Sequence, residues 1–169
     1  AASYTTAATT NGSTYDGFVE THCDGKNNDC DATTDEDFSW TGPNGVVYAG
    51  VGTSCGVGAC GGGVTQCATT SATTCSTDSR RTAESCNVRD DDCDGVTDGN
   101  DIDASQLATC ANSQVGVCAG AKVTRELCVG GAWQSCGATQ FAAYTSDYQT
   151  AETRCDNKDN DCDGVTETS

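Results

Sequence analysis

The sequence predicts a small all-β, largely irregular, disulfide-rich repeat of short hairpins with little helix, and three observations predict it. Leu, Ile, Val and Phe supply only 19 of 169 residues against a net charge of -17, a balance that leaves an ordinary chain unfolded. There are 14 cysteines, an even number, beside 20 Gly, one Pro and no Met, so cross-links must stand in for the missing apolar core. The acid is also concentrated: 21 of the 25 Asp and Glu fall within residues 20–37, 84–103 and 152–167.

Taken in order, the chain opens with a Thr- and Ala-rich segment, residues 1–19, that reads as a strand able to pair with its own chain or be added to a neighbouring molecule. The first acidic loop occupies 20–37. Residues 38–103 hold a hairpin, a four-cysteine cluster and the second loop; residues 104–169 repeat the cluster and loop. Phe38 and Trp40 face Val46 and Tyr48 across Gly-Pro-Asn-Gly, and 122–128 faces 132–136 across Val-Gly-Gly, both hairpin signals. Trp40 and Trp133 are expected to cover small apolar clusters. Cysteine parity suggests that each loop pair closes locally and each foursome closes on itself, giving seven bridges with connectivity inside the foursomes left open.

Each acidic cluster repeats one phrase: CDGKNNDCDATTDE from Cys23, CNVRDDDCDGVTDG from Cys86 and CDNKDNDCDGVTET from Cys155. An internal repeat explains the chain better than any single motif. Oxygens at alternate positions point into one concavity, a Gly at the sixth position allows the sharp turn, a carbonyl at the seventh turns inward and a carboxylate at the ninth closes the shell. The candidate ligands are Asn27, Asp29, Asp31, Thr33 and Asp35, then Asp90, Asp92, Asp94, Val96 and Asp98, then Asp159, Asp161, Asp163, Val165 and Glu167, with upstream help from Asp24, Asn87 and Asp156. Crowded carboxylates without a cation would repel one another and take up protons. A flexible cage of oxygens favours calcium, about three ions, over magnesium, which keeps its waters, and over zinc, which asks for Cys or His. These are not EF-hands, because the twelfth position is Phe38 in the first copy and Asp101 in the second. Ala32 replaces the Gly in the first copy, which ranks below the other two.

These residues resemble the MopE-type metal-binding repeat of bacterial surface proteins, E-x-C-D-G-x-D-N-D-C-D-G-x-x-D-E, most closely at CDNKDNDCDGVTE, and the D-x-D-x-D-G core is similar to thrombospondin type 3 calcium repeats. The stretches CGVGACGGGVTQC and CVGGAWQSC resemble the Gly- and Cys-rich segments between such repeats. The resemblance implies a secreted, metal-binding chain. One member of that family is associated with copper, but copper favours His, Met or Cys and this chain offers His22 alone and no Met, so calcium stands.

Disulfide density implies an oxidising compartment, outside the cell or at its surface, and the Ala-Ala-Ser-Tyr opening fits a mature form whose signal peptide is gone. No apolar run approaches a membrane span, and the acidity repels nucleic acid. Abundant Thr and Ser, with Asn11-Gly12-Ser13, admit glycans. Gly52-Thr53-Ser54-Cys55-Gly56 matches a nucleophile elbow and Gly56 to Gly61 a dinucleotide fingerprint, yet both need a strand, turn and helix that a cross-linked, helix-poor stretch does not provide. The expected function is therefore not enzymatic. It is a calcium-rigidified structural protein, a subunit of a bacterial surface fibre self-associating head to tail through its N-terminal strand; the alternative is a calcium-stabilised adhesin or ligand-binding module.

Overall fold

The structure is a computed structural model that describes residues 17, 19–29 and 31–166. The N-terminal strand segment up to 16, Asn11, Cys30 and Glu167 lie outside the described residues. The chain divides into two compact units, residues 1–82 with 90–96 and residues 83–89 with 97–169, so the boundary passes through the second acidic loop.

The first unit is built on two small sheets. Strands β1 (Ser39–Thr41) and β2 (Val47–Ala49) pair antiparallel with Trp40 opposite Tyr48, and the two rings stack with centroids 5.5 Å apart. Their turn follows from its residues: Pro43 presets the bend, Asn44 Oδ1 accepts the Val46 N–H at 3.1 Å, and Gly45 takes a φ of 72°. A three-stranded sheet follows, β3 (Ser54–Cys55), β4 (Gly63–Thr69) and β5 (Ala72–Cys75), with β4 in the centre. Its buried face is polar: the Thr65 hydroxyl donates to the Gly50 carbonyl at 2.5 Å and accepts from the Thr53 N–H at 2.9 Å. A side chain on Gly63 would run into the Cys75 sulfur and Thr77. The sequence reading did not find this sheet, because its Gly- and Thr-rich strands lack apolar alternation.

The second unit holds the larger apolar cluster: Cys110, Cys118, Ala121, Val123, Cys136 and Phe141, flanked by Leu127, Trp133 and Tyr148. Trp133 thus sits against a cluster as expected. The second hairpin is where the Gly-Gly turn puts it but is only β6 (Cys128–Val129) and β7 (Ala132–Trp133), since 125–127 winds into a 3-10 turn. One helix, α1 (Ala138–Tyr144), carries Phe141 inward, and Gln140 Oε1 accepts the Gly137 N–H at its start. Among the described residues eight of the 13 buried apolar ones are cysteines, five of six in the first unit and three of seven in the second, so sulfur dominates the core of the first and shares that of the second with Ile102, Ala121, Val123 and Phe141.

The bridges correct the expected pairing. No described loop closes on itself. The first and fourth cysteines of each foursome pair (Cys55–Cys75, Cys110–Cys136), the second pairs with the loop that follows (Cys60–Cys93, Cys118–Cys162), and the third with the loop that precedes (Cys67–Cys23, Cys128–Cys86). The expected full oxidation is also corrected, for Cys155 is exposed with a free thiol. Loop entropy gives the reason for long bridges. A bridge across 44 residues constrains the unfolded chain by about 4 kcal/mol, against about 2.5 for one closing eight residues, and it fastens the loop to a neighbour.

Candidate metal-binding loops

The three loops share backbone turns at several matched, described positions. Position-matched residues Gly25, Val88 and Asn157 have φ of 75°, 60° and 60°, Asp35 and Asp98 have 58° and 52°, and Gly95 and Gly164 have 92° and 93°. The left-handed turn at Gly95 and Gly164 is one that a Cβ disfavours, which is why the Gly of the repeat matters. Ala32 holds that position in the first copy without a positive φ.

The upstream residues set the entry. Asp24, Asn87 and Asp156 each accept, through Oδ1, the backbone N–H two residues on, at 3.0, 2.8 and 3.1 Å. The ninth position, read as closing a cation shell, is placed otherwise. Asp35 Oδ1 and Oδ2 accept the N–H groups of Asp24 and Gly25, and Asp98 does the same for Asn87 and Val88 at 2.7 and 2.8 Å. Asp35 also lies against the Cys23–Cys67 bridge and Asp98 against Cys86–Cys128, with the sulfurs already spent. These carboxylates pin the loop shut at its base.

A glutamate ahead of each copy does similar work, and the residue-by-residue reading missed it. Glu20 accepts the N–H groups of Asn28 and Asp35, Glu84 accepts that of Asp98 at 2.8 Å, and Glu152 accepts that of Asn160 at 2.8 Å. The signal was present as a Glu two or three residues before each first cysteine. Burial, followed by the charges of Glu36 and Asp35, pushes the Glu20 carboxyl above the ordinary range.

Alternate aspartates hold the turn of each loop through backbone N–H groups, and in the first loop their oxygens also converge. In the first loop, oxygens of Asp29, Asp31 and Glu36 lie within 4.8 Å of one another; Glu36, at the tenth position, was not foreseen. Asp31 Oδ1 accepts from the Thr33 N–H and hydroxyl at 2.6 and 2.9 Å. In the second, Asp90 Oδ2 takes the Gly95 N–H and Asp94 Oδ1 the Val96 N–H, and burial with the charges of Asp94 and Asp90 raises the Asp92 carboxyl. In the third, Asp159 takes the N–H groups of Asp163 and Gly164, and Asp163 that of Val165. Each loop retains a buried carboxylate oxygen that accepts no hydrogen bond: Glu36 Oε2; Asp90 Oδ1; Asp161 Oδ1 and Glu152 Oε1. Such an oxygen is costly to bury unless a cation satisfies it.

The dinucleotide-like glycines acquire a different role. Gly58 presses on Asp90, where a Cβ would stand 2.3 Å from the carbonyl oxygen, while the Ala59 N–H donates to that carbonyl at 2.8 Å. Gly116 does the same at Asp159, with a Cβ 2.2 Å from the carbonyl oxygen and the Val117 N–H donating at 3.0 Å. Each is followed by the cysteine that bridges to the same loop, so Val-Gly-x-Cys is a strap that holds a loop from the preceding foursome.

Among known families, the chain matches the "Putative metal-binding motif" family, Cu-binding MopE, at residues 10–36, 81–99 and 147–167. No curated protein and no solved structure matches it. The matched segments coincide with the three loops and their upstream glutamates, so it is at these three loops that the chain is similar to the MopE-type metal-binding motif.

Proposed function

We propose that this chain is a calcium-binding structural protein of the cell exterior, in which each acidic loop holds one ion and the disulfide straps transmit that rigidity to the hairpins. The observation that carries the reading is the buried carboxylate oxygen left without a donor in every copy. Hard oxygen donors suit calcium; with twelve sulfurs in bridges and one His, the chain offers little to copper despite the family's name. The ligands are Asp29, Asp31 and Glu36; Asp90, Asp92 and Asp94; and Asp159, Asp161 and Asp163 with Glu152. Asp35, Asp98, Asp24, Asn87 and Asp156 shape the loops.

The structural role is assembly head to tail into a surface fibre, with no catalytic function. Three ions would bring the formal charge from -17 to about -11 and relieve repulsion between copies. Calorimetric titration tests the metal reading: about three calcium ions per chain, a melting temperature that EDTA lowers and calcium restores, and no comparable copper uptake at the loops. Absence of calcium uptake sinks it. Electron microscopy of the calcium-loaded protein tests the fibre, which a strictly monomeric particle would refute.

A further inference from the structure

In five of the six described bridges at least one cysteine is buried; in Cys86–Cys128 both are only half-buried. Access is one of the factors that decide which disulfide a small thiol attacks, so this is the bridge placed to exchange first. A carboxylate oxygen of Asp98 and both sulfurs lie within 4.8 Å of one another. The first loop repeats that triad as Cys23, Asp35 and Cys67, but there Cys23 is only 3% exposed.

The three groups of the second loop are held together by contacts that do not depend on the S–S bond. Asp98 Oδ1 and Oδ2 accept the N–H groups of Asn87 and Val88, which fastens the carboxylate to the residues that follow Cys86. Arg125 Nε donates to the Ile102 carbonyl at 2.6 Å, which ties the segment after Asp98 to the segment before Cys128. Gly131 of the β6–β7 turn lies so close that a Cβ there would stand 3.0 Å from the Asn87 carbonyl carbon. A carboxylate has about four lone-pair sites, so Asp98 keeps acceptor capacity beyond those two N–H groups. With Cα atoms 5.7 Å apart, the two cysteines can both reach one ion through metal–sulfur bonds of about 2.3 Å.

We propose that Cys86, Cys128 and Asp98 form a latent site for a thiophilic divalent cation such as zinc, closed while the bridge is oxidised and opened by a small thiol reductant. The site is separate from the calcium loops and does not depend on their occupancy. Two small thiols give up two electrons and two protons to the Cys86–Cys128 bond; they become one small disulfide and leave two protein thiols. The cation then displaces both thiol protons and takes two thiolates and one Asp98 oxygen, with a fourth position left to water.

The test starts from intact, calcium-loaded protein whose free thiols have been alkylated, so that Cys155 cannot contribute. Limited reduction with a phosphine, quenched with a mass-tagged alkylating reagent, should label Cys86 and Cys128 ahead of every other bridged cysteine. Protein reduced in this way, desalted without the quench and titrated with cobalt(II), should bind one ion with a thiolate-to-cobalt charge-transfer band that zinc abolishes. Calcium keeps the acidic loops occupied, and oxygen ligands give no such band. The oxidised protein and the variant carrying both Cys86→Ser and Cys128→Ser should show none. Asp98→Asn, whose side chain tolerates the φ of 52°, should keep the band and weaken cobalt affinity by at least about tenfold, the loss that even an outer partner of a metal site causes. Earlier labelling of another bridge, absence of the band, a band that survives in the double variant, or unchanged affinity in Asp98→Asn overturns the inference.

Discussion

The second and third acidic loops have nearly the same local geometry but different attachments. Both are strapped from one side by a Val-Gly-x-Cys segment, through Gly58 and Cys60–Cys93 in one and Gly116 and Cys118–Cys162 in the other. Only the second is also bridged through its first cysteine. The turn angles nevertheless agree to within a degree at three matched positions. Loop shape therefore comes from the loop's own Asp side chains and Gly, together with the strap, and the second bridge fastens a loop already formed.

The largest effect should follow from breaking all attachments at once. Reduction removes six bridges worth about 2–5 kcal/mol each, at the least about 12 in total. Calcium at a hundredfold excess over its dissociation constant returns only about 2.7 kcal/mol per site, about 8 for three. The reduced chain is thus expected to unfold even in saturating calcium, as followed by circular dichroism. A reduced, calcium-loaded chain that keeps its native spectrum would show that the loops organise the fold without the bridges.

The strap is the next point of attack. Gly58→Ala and Gly116→Ala push a methyl into a backbone carbonyl and also force a positive φ, 53° and 54°, on an L-residue. Each should destabilise its own unit by about 1–3 kcal/mol through overpacking and remove one calcium from the titration. Gly62→Ala is the control: its φ is +80° but nothing lies within 4 Å, so only the backbone strain of about 1–2 kcal/mol applies and no ion is lost. Equal effects at all three would mean that strain, not the close approach, explains the glycines.

The positions of the loops, their repeat and the hairpin turns were legible in the sequence because Asp, Gly, Pro and Asn act locally. Gly95, Gly164 and Pro43 dictate turns through their own backbones. The bridges were not legible, because parity counts cysteines without locating them, and the winning pattern joins residues 20 to 44 apart. The β3–β4–β5 sheet was hidden for a related reason, since Gly63 and Thr65 are buried by sulfur and hydroxyl contacts that leave no apolar alternation. Glu20, Glu84 and Glu152 were visible as residues, yet their reach across eight or more positions to a backbone N–H is a tertiary fact.

Acid should weaken calcium binding, and the raised carboxyls set the window. Asp92 is pushed above its ordinary value of 3.8 by burial and by Asp94 and Asp90, and Glu20 above 4.5 by burial and by its acidic neighbours. Above their unfolded values the folded, calcium-free chain holds more protons on these groups than the unfolded chain does. Their contribution to its stability therefore falls as pH rises through the window from the unfolded to the raised value. Calcium favours the deprotonated form, so affinity should drop on acidification through the same window, by about tenfold per pH unit for each proton displaced. Titrations in buffers of different ionisation enthalpy read the proton release directly. Affinity that does not change with pH through that window would remove Asp92 from the cation shell.

The smallest expected effect is the one that most sharpens the contrast between the two loops. If the first cysteine of the third loop has no partner within its own chain, Cys155→Ser exchanges one exposed polar atom for another, and monomer stability in urea should change by no more than about 0.5 kcal/mol. The matched change in the second loop, Cys86→Ser with Cys128→Ser, removes a bridge spanning 42 residues and should lower stability by about 2–5 kcal/mol. Calcium uptake should survive in both variants, because the Gly58 and Gly116 straps remain. Measuring both at low protein concentration keeps any bond between copies out of the comparison. A Cys155→Ser monomer as destabilised as the double variant would mean that the third loop already has a second fastening inside the chain, and that its backbone matches the second loop's because both are bridged twice.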